Sequence, residues 1–511
     1  MTLPLHPSQK DFQSLVKRGN VVPVYAELTA DYETPIAAFE KVSKASPNAF
    51  LFESAESSDQ IGRFSFMGID PKFVFTARGR EIEIFEGGKT KTQTAGADSE
   101  PLAVLETLMG EYQPVEVDGL PVFSGGAVGY LSYDMVRFFE PTVSAPPKDE
   151  LGLPDMVFLL ADTLIIFDHR FRRLQVVANA FIDEHKSAKA AYESARRRIK
   201  KLVELLSAPL ESIPLATFRK ESGEPEFDAN TTQAEYEKMV EDAKEFIHAG
   251  DIFQVVPSQR FEVDFDGSPL DLYRALRHIN PSPYMFCMNF EHGFSIVGSS
   301  PEVHVRSIDG KIEIRPIAGT RWRGKTEEED QALADDLLAD PKERAEHIML
   351  VDLARNDVGR VAEYESVKVT DFMIIERYSH VMHIVSNVEG TLNPDFSAYD
   401  VMRATFPAGT VSGSPKVRAM QIINDFEKSK RCAYAGAVGY FGFDGNHDSC
   451  IALRTAVMKD GKVYIQAGAG VVADSVPENE YVETLNKAKG LMRAVEHARS
   501  LSQQREELKE S

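Results

Sequence analysis

A break in the hydrophobic pattern between Ser207 and Thr231 constrains this chain more than any other feature. The stretch contains three prolines and one glycine and has no sustained apolar period, which is typical of a linker. The chain has 511 residues. At about 150 residues per domain, that length allows about three domains or two large ones. We therefore predict one domain over residues 1–230, a second over residues 231–498, and a polar tail over residues 499–511.

Short β-like runs alternate with helical patterns on both sides of this break. In the first part the β-like runs are Lys72–Arg78, Glu81–Phe85, Met156–Phe167 and Arg173–Ala178. The periodicity also predicts a basic amphipathic helix over Asp183–Leu206, with Asp183 as its N-cap. In the second part, Thr232 and Glu235 form a capping box that opens a helix, and Gly250 is placed to end it. This alternation predicts an α+β chain with largely antiparallel sheets.

One segment occurs twice. GAVGYLSYD at Gly126–Asp134 recurs as GAVGYFGFD at Gly436–Asp444. Neither copy carries a nucleophile, a base or a metal-binding set. Neither copy matches a dinucleotide-binding fingerprint, which also needs a following helix and a downstream acid. We interpret the repeat as two copies of the same strand and turn, in which the glycines allow strands to pack closely.

Composition and charge argue against several classes of protein. The net charge of −22 disfavours nucleic acids and anionic membranes as partners, because both need basic faces. A small anionic substrate in a locally basic or metal-containing pocket remains possible. The cysteines, Cys287, Cys432 and Cys450, are too scattered for a disulfide framework or a zinc site. With no recognisable signal peptide or membrane-spanning stretch, the sequence predicts a soluble cytoplasmic protein.

Two predicted helices carry paired glutamates. In DPKERAEHIML, Asp340 is the predicted N-cap, and Glu343 and Glu346 share one face of the helix that follows. Near the C-terminus, Glu480 and Glu483 form a second polar line. Carboxylates are the hard oxygen ligands that Mg²⁺ prefers, so a magnesium site is one interpretation. A solvated, salt-bridged surface is the alternative.

A glycine turn precedes the second of these helices. The apolar strand VYIQA runs into Gly468, Ala469 and Gly470. A glycine turn at the end of a strand leaves backbone N–H groups available to an anion. Lys487 lies on the same polar line as Glu483. The pattern is therefore suited to an anionic ligand.

These motifs resemble the chorismate-utilising enzymes over nearly the whole length, from Leu51 to Ala488. The blocks that carry the resemblance are GDIFQVVPS (Gly250–Ser258), NPSPYMF (Asn280–Phe286), PIAGTRWRG (Pro316–Gly324), DPKERAEHIMLVDLARND (Asp340–Asp357), RYSHVMH (Arg377–His383), GTVSGSPKVRAM (Gly409–Met420), YAGAVGYF (Tyr434–Phe441), ALRT (Ala452–Thr455) and QAGAGVVADSVPENEYVET (Gln466–Thr484). The resemblance implies a chorismate-binding fold of largely antiparallel sheets packed in a sandwich with flanking helices. It also implies a lyase that uses Mg²⁺.

The resemblance also implies roles for individual residues. Glu346 and Glu483 would be the Mg²⁺ ligands, with Glu343 and Glu480 supporting them through water. The implied chorismate-binding residues are Gly319, Thr320, Tyr434, Arg454, Gly468, Ala469 and Gly470. The implied catalytic residues are His383, Thr410, Gln254 and Lys487, with His383 as the acid/base.

Two positions indicate which branch of the family the chain resembles. Isochorismate and salicylate synthases have a lysine base that activates water where this chain has Gln254. Ammonia needs no such activation, so Gln254 favours amination. Aminodeoxychorismate synthases typically have a nucleophilic lysine where this chain has Ala318. Together the two residues predict conversion of chorismate and ammonia to anthranilate and pyruvate, in tryptophan biosynthesis. Aminodeoxychorismate formation and a non-catalytic amino-acid-binding regulatory subunit are the alternatives.

The resemblance further implies a feedback site for tryptophan. Its predicted residues are Ser54, Glu53, Pro283, Tyr284 and Met285. We therefore predict that the first domain is regulatory and the second catalytic. The alternative for Leu51–Ser54 is a core strand that ends in a turn.

The chain contains no recognisable glutaminase. Such a domain needs a nucleophilic cysteine with a downstream histidine and glutamate, and none of the three cysteines has a nucleophile-elbow context. A separate glutamine amidotransferase subunit is therefore predicted as the source of ammonia.

Overall fold

The structure is a computed structural model that describes residues 3–54, 62–97, 99–144, 148–210, 227–378 and 381–510. Its helices, in chain order, are α1 (Gln9–Leu15), α2 (Pro35–Ser43), α3 (Pro101–Met109), α4 (Val136–Phe139), α5 (Ala188–Leu206), α6 (Gln233–His248), α7 (Pro269–Ile279), α8 (Glu327–Ala339), α9 (Pro341–Gly359), α10 (Ala398–Thr405), α11 (Lys416–Phe426) and α12 (Pro477–Glu510). A short 3₁₀ turn at Gly409–Val411 precedes α11.

The strands are short and lie on both sides of the break. They are β1 (Val21–Thr29), β2 (Ala49–Glu53), β3 (Phe64–Ile69), β4 (Phe73–Arg78), β5 (Glu81–Glu86), β6 (Lys89–Thr94), β7 (Gly126–Leu131), β8 (Met156–Ala161), β9 (Thr163–Asp168), β10 (Arg173–Phe181), β11 (Asp228–Ala229), β12 (Gln254–Val255), β13 (Ser258–Asp264), β14 (Tyr284–Phe290), β15 (Phe294–Ser300), β16 (Val303–Ile308), β17 (Lys311–Ile314), β18 (Ile317–Trp322), β19 (Lys368–Arg377), β20 (Val381–Thr391), β21 (Gly413–Ser414), β22 (Ala437–Gly442), β23 (His447–Ile451), β24 (Thr455–Lys459) and β25 (Lys462–Gly468).

Within the described ranges these strands form two large sheets. Sheet A has the order β1-β10-β9-β3-β2-β14-β15-β24-β25-β13-β11. Sheet B has the order β18-β20-β17-β16-β23-β22-β7-β8-β4-β5-β6, and β19 also pairs with β20. Neighbouring strands pair antiparallel, which confirms the predicted sheet type. The small pair β12 and β21 lies outside both sheets.

The two sheets pack face to face around a shared apolar core. Phe50 and Phe286 of sheet A belong to the same buried cluster as Val128 and Leu159 of sheet B. On the outer face of sheet A, α5, α7 and α12 cover a second cluster, and α6, α10 and α11 cover the outer face of sheet B. The α+β sandwich with flanking helices is therefore confirmed.

Both sheets contain strands from both sides of the break. In sheet A, β2 pairs with β14, and in sheet B, β7 pairs with β22. The segment predicted as a polar tail continues α12, and Leu501 within it is buried. The assignment of a regulatory role to residues 1–230 and a catalytic role to residues 231–498 stays a prediction.

Helix starts were predicted with mixed success. The capping box of Thr232 and Glu235 is present, and α6 ends just before Gly250, which has a φ of +80°. The predicted N-cap Asp183 is wrong, because its carboxylate accepts a hydrogen bond from Asn20 Nδ2 at 3.0 Å. Ser187 caps α5 instead and accepts the Ala190 N–H at 3.2 Å.

The predicted run Met156–Phe167 is two strands in different sheets. β8 lies in sheet B and β9 lies in sheet A, and Asp162 separates them. The guanidinium of Arg198 on α5 pairs with Asp162 at this crossing. In the described part of the chain, none of the helices combines the length and the apolar character that a membrane span needs.

The repeated segment forms two adjacent strands. β7 and β22 pair so that Gly129 lies opposite Gly439. A Cβ on Gly129 would lie 1.9 Å from the Val157 carbonyl oxygen, and a Cβ on Gly439 would lie 2.1 Å from the Asp448 carbonyl oxygen. Side chains cannot fit at these distances, which confirms that the glycines serve close strand packing.

Gly129→Ala is therefore expected to destabilise the protein by about 1–3 kcal/mol, because overpacking forces the neighbouring strand to move. Differential scanning calorimetry of the variant and the wild type measures the change as a lower Tm. Gly96→Ala is the matched control, since a Cβ at Gly96 meets no atom within 4 Å. Equal Tm values for the Gly129→Ala variant and the wild type would contradict the packing argument.

Candidate active site

The predicted site begins where β12 meets α9 and the turn after β25. Gln254 donates from Nε2 to Oε1 of Glu346 on α9, at 3.0 Å. A Cβ built on Gly470 would lie 2.8 Å from the same Nε2, so the glycine turn packs against this amide. Gln254 also pairs with Ser414 of β21. Three residues that the resemblance assigned to one site are therefore neighbours.

The first glutamate pair lies in the opening turns of α9. The Asp340 carboxylate accepts the N–H groups of Lys342 and Glu343 at 2.9 and 3.3 Å, which confirms the predicted N-cap. Burial raises the pKa of Glu343, and the charge of Glu346 raises it further. The Arg321 guanidinium, 3.6 Å from Glu343 Oε1, acts in the opposite direction.

The second pair lies in the opening turns of α12. Burial raises the pKa of Glu480, and the negative charge of Glu483 raises it further. A hydrogen bond from Ser475 acts to lower it. Lys342 on α9 is close enough to act electrostatically on Glu480. Lys487 lies 2.8 Å from Glu483 Oε1. The two acidic pairs therefore occupy one electrostatic environment.

The oxygen donors of these pairs suit Mg²⁺. Burial is the main cause of the raised pKa of Glu343 and Glu480, and a cation would relieve the like-charge repulsion that adds to it. Among the residues that the structure describes, no group of three or more His, Cys, Asp or Glu side chains is arranged to hold a metal ion. Mg²⁺ usually retains several waters and takes only one or two protein carboxylates, whereas structural zinc needs a closed set. The donor chemistry of the two pairs therefore suits a hydrated magnesium ion bound by one or two of these carboxylates.

His383 has a defined orientation on β20. Its Nδ1 lies 2.8 Å from the carbonyl oxygen of Gly319 and 3.1 Å from the hydroxyl oxygen of Thr320. Because a carbonyl oxygen can only accept, Nδ1 carries the proton and Nε2 is the basic nitrogen of the neutral ring. Burial lowers the pKa of His383, and the charge of Arg454 contributes to the lowering.

A carboxyl that the sequence analysis missed lies beside the predicted substrate residues. Burial raises the pKa of Glu302, while the Thr410 hydroxyl, Arg454 and Lys487 act to lower it. Glu302 comes directly after Ser300 and Pro301, where the buried strand β15 ends. A carboxyl at the end of a fully buried strand was the sequence signal that could have identified it.

Arg454 brings positive charge to the same place. Its φ of +46° lies in the left-handed region, which is unusual for a residue with a side chain. Its Nη1 donates to Asn280 Oδ1 at 3.3 Å. Loss of surrounding water lowers the pKa of the guanidinium. The Arg454 residue keeps an exposed surface, so its guanidinium can bind a carboxylate of a ligand.

Tyr434 lies against the glycine turn. A Cβ on Gly468 would lie 2.9 Å from Tyr434 Oη, so only glycine fits there. Burial raises the pKa of Tyr434 to about 12, and its hydroxyl is therefore a neutral donor near neutral pH. The Ala469 N–H donates to the Pro257 carbonyl at 3.2 Å, so it is not available to an anion. Lys487 donates to the Gly468 carbonyl at 2.9 Å.

The residues of the predicted tryptophan site come together on sheet A. Glu53 at the end of β2 lies opposite Met285 on β14. Tyr273 on α7 donates its hydroxyl to Glu53 Oε2 at 2.7 Å. Ser54 follows β2 directly, and Pro283 precedes β14.

Tyr284 connects this region to sheet B. Its hydroxyl donates to Asp448 Oδ1 on β23 at 2.9 Å and accepts from Arg306 Nε on β16 at 3.1 Å. Glu302 immediately precedes β16 along the chain. The predicted tryptophan segment is therefore bonded to the strand that follows Glu302.

Two buried histidines lie behind the pocket wall. His304, which lines a cavity together with Glu302 and Thr410, is hydrogen bonded through Nδ1 to Ser449 Oγ at 3.2 Å. The same hydroxyl bonds His447 Nε2 at 2.9 Å, and His447 Nδ1 donates to the Tyr440 carbonyl at 2.8 Å. Burial lowers the pKa of both rings, to about 3 for His304 and to about 4 for His447.

These lowered pKa values predict acid sensitivity. An unfolded histidine titrates near 6.5, so the unfolded chain binds more protons than the folded chain as the pH falls below that value. Between about pH 6.5 and about pH 4, His447 is expected to lower the free energy of unfolding by about 1.4 kcal/mol per pH unit. Urea unfolding of His447→Gln at pH 7 and pH 5 should show a smaller pH dependence than the wild type. His248→Gln, at an exposed position, is the control.

Comparisons with known proteins place this site in a family. The model for chorismate binding enzymes matches residues 47–493. A protein of Aquifex aeolicus named anthranilate synthase component 1 is 47% identical over 97% of this chain and 98% of its own length. A probable anthranilate synthase component 1 of Schizosaccharomyces pombe is 45% identical over 97% of this chain and 98% of its own length.

Solved structures agree with the observed fold. The crystal structure of anthranilate synthase component I from Streptococcus pneumoniae matches with a TM-score of 0.73 and 39% identity, covering 86% of this chain and 93% of that one. The menaquinone-specific isochorismate synthase of Escherichia coli shares the fold, with a TM-score of 0.70 at 18% identity over 95% of this chain and 99% of that one. This chain belongs to the family of chorismate-binding enzymes.

Proposed function

We propose that this chain is the chorismate-aminating component of an anthranilate synthase, which converts chorismate and ammonia to anthranilate and pyruvate. The observation that carries the proposal is Gln254, an amide in contact with Glu346 where other branches of the family have a lysine base. Curated relatives between 43% and 47% identical over nearly their whole length bear the name anthranilate synthase component 1. Ala318, which offers no nucleophile, argues against the aminodeoxychorismate alternative.

Gln254 is also suited to receive ammonia. The residue is buried, and its Oε1 has no hydrogen-bond partner among the described residues. A buried acceptor without a partner is costly, and an N–H of ammonia would satisfy it. An amide cannot remove a proton from water, so the same residue disfavours hydroxylation.

The anionic substrate is bound by groups around Glu302. Arg454 and the neutral Tyr434 hydroxyl hold the enolpyruvyl carboxylate, and Lys487 adds a second positive charge. The Gly470 N–H also faces the substrate in this proposal, whereas the Ala469 N–H is bonded to Pro257 and the Gly468 N–H interacts with the Tyr434 hydroxyl. The positive charges of Arg454 and Lys487 are concentrated at this pocket, although the whole chain has a net charge of −22.

Two proton transfers follow from the positions of Glu302 and His383. Amination at ring carbon 2 expels the hydroxyl of carbon 4, and that oxygen needs a proton to leave as water. Glu302, with its raised pKa, supplies this proton, and the proton that the new ammonium group on carbon 2 releases restores the acid. In the second step the proton on carbon 2 goes to His383 Nε2, and the enolpyruvyl group gains a proton and leaves as pyruvate. The ring becomes aromatic.

Glu346 and Glu483 are the proposed Mg²⁺ ligands, with Glu343 and Glu480 acting through water. When bound, Mg²⁺ supplies Lewis-acid stabilisation of the ring carboxylate and fixes its position. The like-charge repulsion within each glutamate pair supports this assignment.

Ammonia comes from a separate glutamine amidotransferase subunit in this proposal. All three cysteines are buried and free, and burial raises the pKa of each thiol, which makes them poor nucleophiles. Apolar side chains stay exposed next to site residues: Phe253 precedes Gln254, Ile348 follows Glu346 by two positions, and Val482 precedes Glu483. Exposed apolar residues around the site favour a docked partner there.

Tryptophan is the proposed feedback inhibitor, bound near Ser54, Glu53 and Met285. The bonds from Tyr284 to Asp448 and Arg306 offer a physical connection between that region and Glu302. Inhibition then requires that these bonds have two arrangements and that tryptophan binds them with different affinity.

Purified protein supplied with chorismate, Mg²⁺ and an ammonium salt is expected to form anthranilate, which is measured by its fluorescence. Glu483→Gln should lower the rate by about 10²-fold or more, because a metal ligand supplies several kcal/mol of transition-state stabilisation. Glu478→Gln, at an exposed glutamate in the same helix, is the control. Bound chorismate without product would contradict the proposed reaction, and an unchanged Glu483→Gln rate would contradict the metal assignment.

Tryptophan is expected to inhibit the wild type, and Ser54→Ala should need about tenfold more tryptophan, as expected for loss of a hydrogen bond to a charged ligand. Inhibition curves at fixed chorismate measure this change. Ser14→Ala, at an exposed position in α1, should match the wild type. Identical curves for Ser54→Ala and the wild type would refute the location of the inhibitor site.

A further inference from the structure

Arg431 is a buried arginine between α11 and β22, with 3% of its surface exposed. Its guanidinium pairs with Glu427, with 2.6 Å between Nη2 and Oε1. The carbon of the guanidinium lies 4.6 Å from the ring centre of Tyr133 and 5.4 Å from that of Tyr434. Apolar residues of similar volume are often at least as stabilising as a buried ion pair. Stability alone therefore does not account for this buried ion pair, and we consider the local geometry that it imposes.

The guanidinium fixes two backbone carbonyls that lie close to site residues. Nη1 donates to the Val411 carbonyl at 2.8 Å, and Nη2 donates to the Val256 carbonyl at 2.6 Å. Val411 directly follows Thr410, and Val256 lies two residues after Gln254. The Val256 N–H also donates to the Ser412 carbonyl at 3.0 Å. One rigid, planar group therefore sets the distance between the segments that carry Gln254 and Thr410.

Glu427 extends the same network to the glycine turn. Its Oε1 accepts the N–H and the hydroxyl of Ser258 at 2.8 and 2.7 Å. Ser258 begins β13 and lies directly opposite Gly468 on β25. The Ser258 hydroxyl also accepts from Gln466 Nε2 at 2.8 Å. The position of the turn at Gly468 therefore depends on the Glu427 carboxylate.

We propose that Arg431 and Glu427 are positioning residues that set the geometry between Gln254, Thr410 and Tyr434. Neither residue touches the substrate in this proposal. The inference rests on the proposed function, because those three residues form the site of chorismate amination. Arg454 bonds Asn280, which lies outside this network, so binding of the substrate carboxylate depends on the network less than the reacting geometry does.

The test is Arg431→Lys, which keeps the positive charge but cannot reproduce the planar fork. We expect kcat to fall by about 10²-fold, as a displacement of about 1 Å at reacting groups does. The KM for chorismate should change by less than about threefold, because uniform binding is largely kept. The Tm is measured in parallel, and rates are expressed per folded molecule.

A matched control separates positioning from general loss of an ion pair. Arg403 on α10 bonds Glu100, Glu106 and Asp400 and is also partly buried. Arg403→Lys should keep kcat within about twofold of the wild type, whatever its Tm. In Arg431→Ala, methylguanidinium should restore kcat in a saturable way, and methylammonium should not.

If Arg431→Lys does not fold, the Glu427→Gln variant is measured in its place. The glutamine keeps an acceptor oxygen for Ser258 but loses the charge, and kcat should fall by about tenfold with little change in KM. Wild-type kcat in a folded Arg431→Lys or Glu427→Gln protein overturns the inference. A wild type that forms no anthranilate contradicts the proposed function instead. In that case the same variants are compared by their rate of chorismate consumption.

Discussion

Antiparallel pairing between strands from the two sides of the break is the constraint on which the rest of the structure depends. β2 is joined to β14 in sheet A, and β7 is joined to β22 in sheet B. Neither sheet is complete without both parts of the chain. Glycine is required at Gly129 of β7 and Gly439 of β22, because carbonyl oxygens of the neighbouring strands β8 and β23 occupy the space of a side chain.

This arrangement explains how a single site can depend on both parts of the chain. Most site residues follow the break, yet Tyr133 from the first part lies against the Arg431 guanidinium. The Tyr284 hydroxyl bonds across from sheet A to sheet B. The strand β14, which pairs with β2, is therefore hydrogen bonded to the segment after Glu302.

Sequence motifs predicted local features correctly, and they failed where the answer depended on a distant partner. The caps at Thr232 and Asp340 are local and were predicted correctly. Asp183 failed as a cap because Asn20, far away in the sequence, binds its carboxylate. Ala469 belongs to the expected glycine turn, but Pro257 occupies its N–H. Glu302 was missed because its raised pKa arises from burial by several elements.

The sequence by itself determined the antiparallel α+β class, the family resemblance and the identity of the residues available for chemistry. Periodicity, capping and glycine spacing act over a few residues, and they are therefore visible in the sequence. Only the tertiary structure decided which sheet each strand enters and which N–H groups stay available. It also decided that Arg431 connects the segments that carry Gln254 and Thr410. Those outcomes depend on burial and on hydrogen bonds between residues far apart in the sequence, which no local pattern specifies.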